Sequence, residues 1–268
     1  MRPARLAIAL AVAAAAGGLL GSPPRAQETS PPAATQPDPS ELTSPGEPVL
    51  PERTALIRRI LASTAQLRTE REGGGQRAAS GVVLARDRNA GRVWILTTLH
   101  FLEPPRPQKV FVRLHGRDHA VPGTVAFLNR DLDLAIIETV QLDVAPIRMQ
   151  LVADLGAEVL VLAFPWGQRL TVVRGTVSQL DSTRGEVVGP PHMVDASVSY
   201  GSSGGGVFDA KTGELLGIVQ SYRTARIAIP EMRERVLEVP VAGETTMISA
   251  ATILRFLESS GLTGFLPR

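Results

Sequence analysis

Cysteine is absent from this chain of 268 residues. Its absence excludes a disulfide scaffold, a thiolate nucleophile and a metal site with cysteine ligands. Aromatic residues are scarce at 4%, and charged residues make up 20% with a formal net charge of +2. No run of lysine or arginine could follow a phosphate backbone, so the composition gives no support for nucleic acid as a partner. The 44% of hydrophobic residues is ordinary for a globular protein with a sizeable core.

A short apolar run lies near the N-terminus. Arg2 and Arg5 precede the apolar residues 6–20, and small residues and proline follow them. This order is typical of a secretory signal peptide, and the run is short for a membrane span, which needs about 20 residues. We expect residues 1–26 to be a signal peptide, cleaved after Ala26, that directs the protein to the periplasm or the medium. An uncleaved membrane anchor is the alternative; if the segment is cleaved, we expect no stable membrane insertion.

The rest of the chain divides by composition. Residues 27–51 are rich in proline, serine, threonine and alanine without apolar periodicity, which predicts a disordered tether. Four residues at helical spacing then predict a short N-terminal helix: Leu56, Ile57, Ile60 and Leu61. The same kind of spacing predicts a C-terminal helix over residues 247–260, which Gly261 ends.

Between these helices lie many short β-rich runs separated by turn residues. They fall into two series and predict an all-β sandwich or barrel, with no alternation of helices and strands that would indicate a parallel sheet. We expect residues 52–148 to hold the N-terminal helix and the first β unit, and residues 149–268 the second β unit and the C-terminal helix.

One loop carries a pattern suited to nucleophilic catalysis. In residues 195–208 four glycines surround the pair Ser202 and Ser203. Glycine lets the backbone approach a ligand closely, and a nucleophilic serine needs backbone N–H groups aimed at the oxygen that becomes negative. Taken alone, the pattern also fits a flexible turn.

A histidine and an aspartate complete this chemistry. His100 ends an apolar strand, and Asp133 precedes a buried one; Asp131 is the second candidate acid. Each alone is more typical of a structural residue, but together with a serine they supply base, orienting carboxylate and nucleophile. Gly201, Ser203 and Gly205 also satisfy the Gly-x-Ser-x-Gly elbow of α/β-hydrolases, in which a histidine follows the serine. No histidine follows Ser203, so that interpretation fails.

These motifs, in this order, resemble those of trypsin-like serine peptidases of the Do (HtrA-like) type. The resemblance covers about residues 80–261. In the first half, segment 80–84 resembles the family's first barrel strand, 95–100 its His motif and 133–136 its Asp motif. In the second half, 156–177 resembles the opening of the second barrel, 195–205 the Ser loop and 213–218 the strand after that loop. The resemblance implies two antiparallel six-stranded β-barrels of the chymotrypsin fold, with the site between them and no cofactor.

The resemblance also assigns roles. It implies that Ser203 is the nucleophile, His100 the base and Asp133 the orienting acid, with the backbone N–H groups of Gly201 and Ser203 as the oxyanion hole. The family's position for the floor of the substrate pocket is Ser197, with Val198 beside it, and the wall would be residues Val219, Gln220 and Ser221. Because no acid lies at these positions, we expect a small or medium apolar side chain before the cut rather than a basic one.

The chain departs from the family at Leu99, Ser202 and Gly206. None of these removes a catalytic group, but Gly206 suggests a looser loop and an oxyanion hole incompletely formed at rest. We expect no C-terminal peptide-binding PDZ domain.

The alternatives to an active peptidase are a peptidase latent until a partner orders the loop, and a silent peptidase-fold module that binds peptides. The expected partners are polypeptides. His115 and His119 are four residues apart around a polar turn without a second pair, so we expect no metal site.

Overall fold

The computed structural model describes residues 51–103, 109–140, 142–181, 185–228 and 236–267. The predicted signal peptide and all of the predicted tether except Pro51 lie outside these residues. Two α-helices frame the described chain: α1 is Pro51–Ala62 and α2 is Ala250–Ser259.

The first six strands close into an antiparallel barrel in the order β1-β2-β3-β6-β5-β4. Their bounds are Thr64–Glu70 (β1), Gln76–Asp87 (β2), Arg92–Thr98 (β3), Lys109–Leu114 (β4), Val121–Asn129 (β5) and Leu134–Val140 (β6). Strands β3 and β6 pair from Arg92 with Val140 to Thr98 with Leu134. The register therefore brings the chain that leaves β3 next to the chain that enters β6.

A second closed barrel has the order β11-β14-β13-β12-β8-β9. Its strands are Glu158–Ala163 (β8), Thr171–Leu180 (β9), Pro191–Asp195 (β11), Gly206–Asp209 (β12), Leu215–Ala228 (β13) and Val236–Ser249 (β14). Two short strands, Ala153–Asp154 (β7) and Val188–Gly189 (β10), pair with each other beside it. The predicted fold of two six-stranded antiparallel barrels with a short N-terminal and a C-terminal helix is confirmed.

The helices pack by their apolar faces. Ile60 of α1 is fully buried, and Ile253 of α2 is buried in the same apolar cluster. The C-terminal helix begins three residues later than predicted, because Met247–Ser249 pair with β13 as the end of β14. The Ser249 side chain accepts a hydrogen bond from Thr252 N and so caps the helix. Within the described ranges, no helix is long and apolar enough to cross a membrane.

Three apolar clusters form the core. One fills the first barrel and one fills the second. The third joins them, since it packs Leu96 and Ile136 of the first barrel with Leu162 and Phe208 of the second. This shared core holds the facing loops of the two barrels in a fixed relation, and the candidate site lies among those loops.

Candidate active site

His100 and Asp133 meet at the mouth of the first barrel. Asp133 immediately precedes β6, and its carbonyl accepts a hydrogen bond from Leu99 N at 3.0 Å. Its carboxylate then takes two bonds from His100, with Oδ1 accepting from the backbone N–H and Oδ2 facing Nδ1, both at 2.8 Å. Because a carboxylate only accepts, Nδ1 carries the proton and Nε2 is left as an acceptor. Asp131, the other candidate acid, is exposed and is not bonded to His100.

The Asp133 carboxyl stays ionised in this setting. Burial raises its pKa. The hydrogen bonds from the His100 ring and backbone, together with the charge interaction with His100, lower the pKa by more, so the net pKa lies below the ordinary 3.8. Asp133 also has φ +55, a left-handed conformation that aspartate tolerates better than most residues. Asp133 is therefore held as an anion, and its backbone has a conformation that bulky residues rarely adopt.

The loop after β11 carries Ser203 and is tied to the first barrel. Ser80 of β2 is fully buried; its Oγ donates to the Gly201 carbonyl at 2.9 Å, and its N–H donates to the Ser203 carbonyl at 2.9 Å. Ser80 Oγ also accepts from Phe164 N at 2.8 Å. The serine of the second barrel is thus positioned by bonds to the first, which brings Ser203 into the same cleft as His100.

The backbone N–H groups of Gly201 and Ser203 are the predicted oxyanion donors. Within the described chain, neither Gly201 N nor Ser203 N donates to a protein acceptor. The Tyr200 carbonyl accepts from Trp166 N at 2.7 Å, and since the peptide unit is planar, this bond fixes the direction of the Gly201 N–H. Gly201 has φ +88, and a Cβ there would lie 2.7 Å from Trp166 N, so only glycine fits. Neither predicted donor is therefore occupied by a hydrogen bond within the described chain.

Gln220 connects the acid and the serine. Ser203 Oγ donates to the Gln220 carbonyl at 3.4 Å, and Gln220 Nε2 donates to Asp133 Oδ2 at 3.4 Å. Among the described residues, Ser203 Oγ has no hydrogen bond to His100. Side-chain hydroxyls rotate about χ1, and catalytic bonds are often long before substrate binds, so this arrangement is compatible with a reactive serine.

The cleft around Ser203 has a volume of about 460 Å³. Gln220 and Ser221, both predicted as pocket wall, line it, whereas Val219 is buried in the core of the second barrel. Ser197 and Val198 instead line a second hollow of about 240 Å³ together with Ser202. Successive residues of the Ser203 loop therefore face two different spaces, and the predicted floor residues are not in the cleft.

Some residues of the cleft were not predicted from the sequence: Arg77, Phe101, Tyr200 and Tyr222. Tyr200 lies inside the predicted Ser loop, and Tyr222 directly follows the predicted pocket wall, so the sequence already indicated the region of both. Arg77 lies in the part of β2 before the recognised motif, where the sequence offers no signal. The Tyr200 ring packs on the exposed Trp166 ring with centroids 5.1 Å apart, so Trp166 borders the cleft without lining it.

Gly206 proves to be part of β12. Its backbone pairs with Ile218 on one side and Leu162 on the other. A Cβ there would lie 2.3 Å from the buried Phe208 ring. Its missing side chain makes room for that ring, which gives Gly206 a packing role in place of the loosening expected from the sequence.

A serine beside a histidine and an aspartate, at the junction of two antiparallel barrels, is the arrangement of chymotrypsin-fold serine proteases. The chain belongs to the trypsin-like peptidase domain family, whose model matches residues 79–218, slightly more than half of the chain. Compared with curated proteins, the chain has no significant match.

Solved structures share the fold. The serine endoprotease from Yersinia pestis is 19% identical, with 80% of this chain and 68% of that chain covered and a TM-score of 0.59. The active form of the Rv3671c protease from M. tuberculosis is 22% identical, with 85% and 88% covered and a TM-score of 0.59. The HtrA-type protease AlgW with tripeptide is 20% identical over 77% of this chain, with a TM-score of 0.58, and this chain spans 62% of that one. The predicted resemblance to trypsin-like peptidases is confirmed, the fold is shared with HtrA-type proteases, and family and fold support a serine protease.

Proposed function

We propose that this chain is an exported serine endopeptidase that cleaves polypeptides through an acyl-enzyme on Ser203. Ser203 Oγ attacks the peptide carbonyl carbon while His100 Nε2 accepts the hydroxyl proton and then delivers it to the leaving amine. Asp133 keeps the other proton on Nδ1 and stabilises the imidazolium. The N–H groups of Gly201 and Ser203 donate to the developing oxyanion, and one such donor is typically worth about 3 kcal/mol. Water then hydrolyses the ester by the same route.

The observation that carries the proposal is the double hydrogen bond from His100 to Asp133 in the cleft that holds Ser203. The ring bond holds the carboxylate against Nδ1, and the backbone bond fixes the carboxylate in place. The His100 side chain is 48% exposed and that of Asp133 is 22% exposed. The base is therefore open to a substrate while the acid behind it is shielded, as the proposed proton transfers require.

Export and substrate preference are further parts of the proposal. The charge and apolar pattern of residues 1–26 supports export. Of the described residues that line the cleft, none is acidic, so no carboxylate is available to pair with a basic substrate side chain. This supports a small or medium apolar side chain before the cut.

Labelling by a fluorophosphonate probe tests the nucleophile without knowledge of the substrate. We expect the purified wild type to be labelled, because the probe needs an activated serine and an accessible oxyanion hole. Ser203→Ala is expected to abolish labelling, whereas Ser202→Ala, which removes the neighbouring hydroxyl, is expected to retain it. Labelling that persists in folded Ser203→Ala would place the nucleophile elsewhere.

A partner-activated peptidase is the second candidate, favoured by the bond of Ser203 Oγ to the Gln220 carbonyl rather than to His100. It predicts weak basal turnover of a peptide library that rises at least tenfold when a bound peptide realigns the serine. The measurement is initial rate against added non-cleavable peptide. High turnover that is independent of added peptide would contradict latency, and peptide binding without turnover or labelling would indicate a silent binding module.

A further inference from the structure

A second large hollow lies between the barrels, separate from the cleft of Ser203. Its volume is about 530 Å³, and it shares no lining residue with that cleft. One side is the turn that follows β4, and the other is the loop that leads into β9. A space of this size is in the range of small-molecule binding sites.

The polar part of this hollow is cationic. Arg113, Arg117 and Arg169 line it together with His115, and none of the described lining residues is acidic. Within the described ranges, none of these three arginines forms an ion pair with a carboxylate. Asp118 follows Arg117 in sequence but does not line the hollow. Three guanidinium groups without an ion-pair partner among the described residues give this concave place a positively charged lining.

The remaining lining is mostly apolar and comes from both barrels and from α1. Besides Gly116 and the neutral polar Gln168, it consists of Leu61, Leu114, Phe164, Leu170 and Val172. Phe164 and Leu114 are buried, whereas Val172 is 43% exposed and stays in contact with water. An apolar group that covered this surface would remove it from water, which is favourable in proportion to the area covered.

We propose that this hollow binds a small anionic amphiphile, a free molecule in which a carboxylate or phosphate group is joined to an aliphatic chain. Guanidinium groups present paired N–H donors that match the oxygens of either anion. A bare anion would leave the apolar surface in water, and a neutral chain would leave the arginines without a countercharge. The site is independent of the Ser203 chemistry.

Titration calorimetry with decyl phosphate, below its micelle concentration, tests the site on the purified protein. We expect one binding site in the wild type. Arg117→Gln/Arg169→Gln is expected to weaken binding at least tenfold, because it removes two of the three guanidinium partners. The control Arg88→Gln/Arg255→Gln removes the same charge from two exposed positions outside the hollow and is expected to bind as the wild type does.

Two further ligands define the chemistry. Inorganic phosphate and decyl maltoside are each expected to bind at least tenfold more weakly than decyl phosphate. Equal affinity of either one would overturn the proposal, since it would show that the apolar part or the charge has no role. Unchanged affinity in the Arg117→Gln/Arg169→Gln protein, or binding to anionic vesicles without binding to monomeric decyl phosphate, would overturn it as well.

Discussion

Asp133→Asn is expected to lower the rate of Ser203 acylation about 10⁴-fold at neutral pH, the size of effect that loss of the orienting carboxylate has in serine peptidases. The carboxylate accepts from His100 Nδ1, and an amide at that position can donate instead, which would favour the tautomer with the proton on Nε2. His100 could then no longer take a proton from Ser203. The measurement is the second-order rate constant of fluorophosphonate labelling, and kcat/KM once a cleaved peptide is known.

Asp131→Asn is the matched control for this prediction. It makes the same chemical change two residues away, on an exposed side chain outside the His100 contact, so we expect a rate within twofold of the wild type. The assignment of the acid would be reversed if Asp131→Asn lost the activity and Asp133→Asn kept it.

The same carboxylate also predicts how stability depends on pH. Its folded pKa lies below the ordinary 3.8, so ionised Asp133 stabilises the folded state, and this contribution is fully present above that value. It is lost as the pH falls through the lower folded pKa. Urea unfolding from pH 6 downwards should therefore show that Asp133→Asn loses less stability on acidification than the wild type does. Identical pH profiles of the two proteins would contradict this prediction.

The apolar runs between turn residues predicted an all-β sandwich or barrel, and the resemblance to trypsin-like peptidases added the two six-stranded barrels. Strand β1 gives a weak signal, since three of its buried side chains are polar, Thr64, Gln66 and Thr69, and only Ala65 and Leu67 are buried apolar residues. The buried Gln66 side chain donates a hydrogen bond to the carbonyl of Gly167, which is distant in sequence, at 2.6 Å. Strand β14 gives no strand signal either: Pro240 and Gly243 lie within it and are typical of turns, and its last three residues fall in the predicted C-terminal helix.

At the candidate site, the sequence predicted that His100 and Asp133 face each other. It did not predict which residues of the Ser203 loop face the cleft. His100 and Asp133 adjoin strand ends that pair in register, so their contact follows from strand order. The direction of Ser197 and Val198 depends on the path of an irregular loop held by long-range bonds, such as that from Trp166 N to the Tyr200 carbonyl. The position of Ser197 in the sequence relative to Ser203 does not reveal that path.

Gly204→Ala is expected to lower the free energy of unfolding by about 3 kcal/mol or more and to reduce Ser203 acylation at least 10²-fold. Gly204 has φ +79, which a residue with a Cβ rarely adopts. The added Cβ would lie 2.2 Å from the Ser80 carbonyl oxygen and 2.5 Å from Thr97 Oγ1. Those atoms belong to paired strands of the first barrel and to a Thr97–Ser80 hydrogen bond, so they cannot easily move. The loop must shift instead, and Ser203 shifts with it.

Urea unfolding and fluorophosphonate labelling, measured on the same preparations, separate the two effects. Gly264→Ala is the matched control, because a Cβ there meets nothing within 4 Å and its φ is not positive; we expect a change below about 0.5 kcal/mol. A Gly204→Ala protein that stays folded in dilute buffer and is labelled slowly would show that contact between the loop and β2 positions the serine. Wild-type stability together with wild-type labelling would mean that the loop is not held against Ser80 and Thr97, and that the oxyanion donors do not depend on the first barrel for their position.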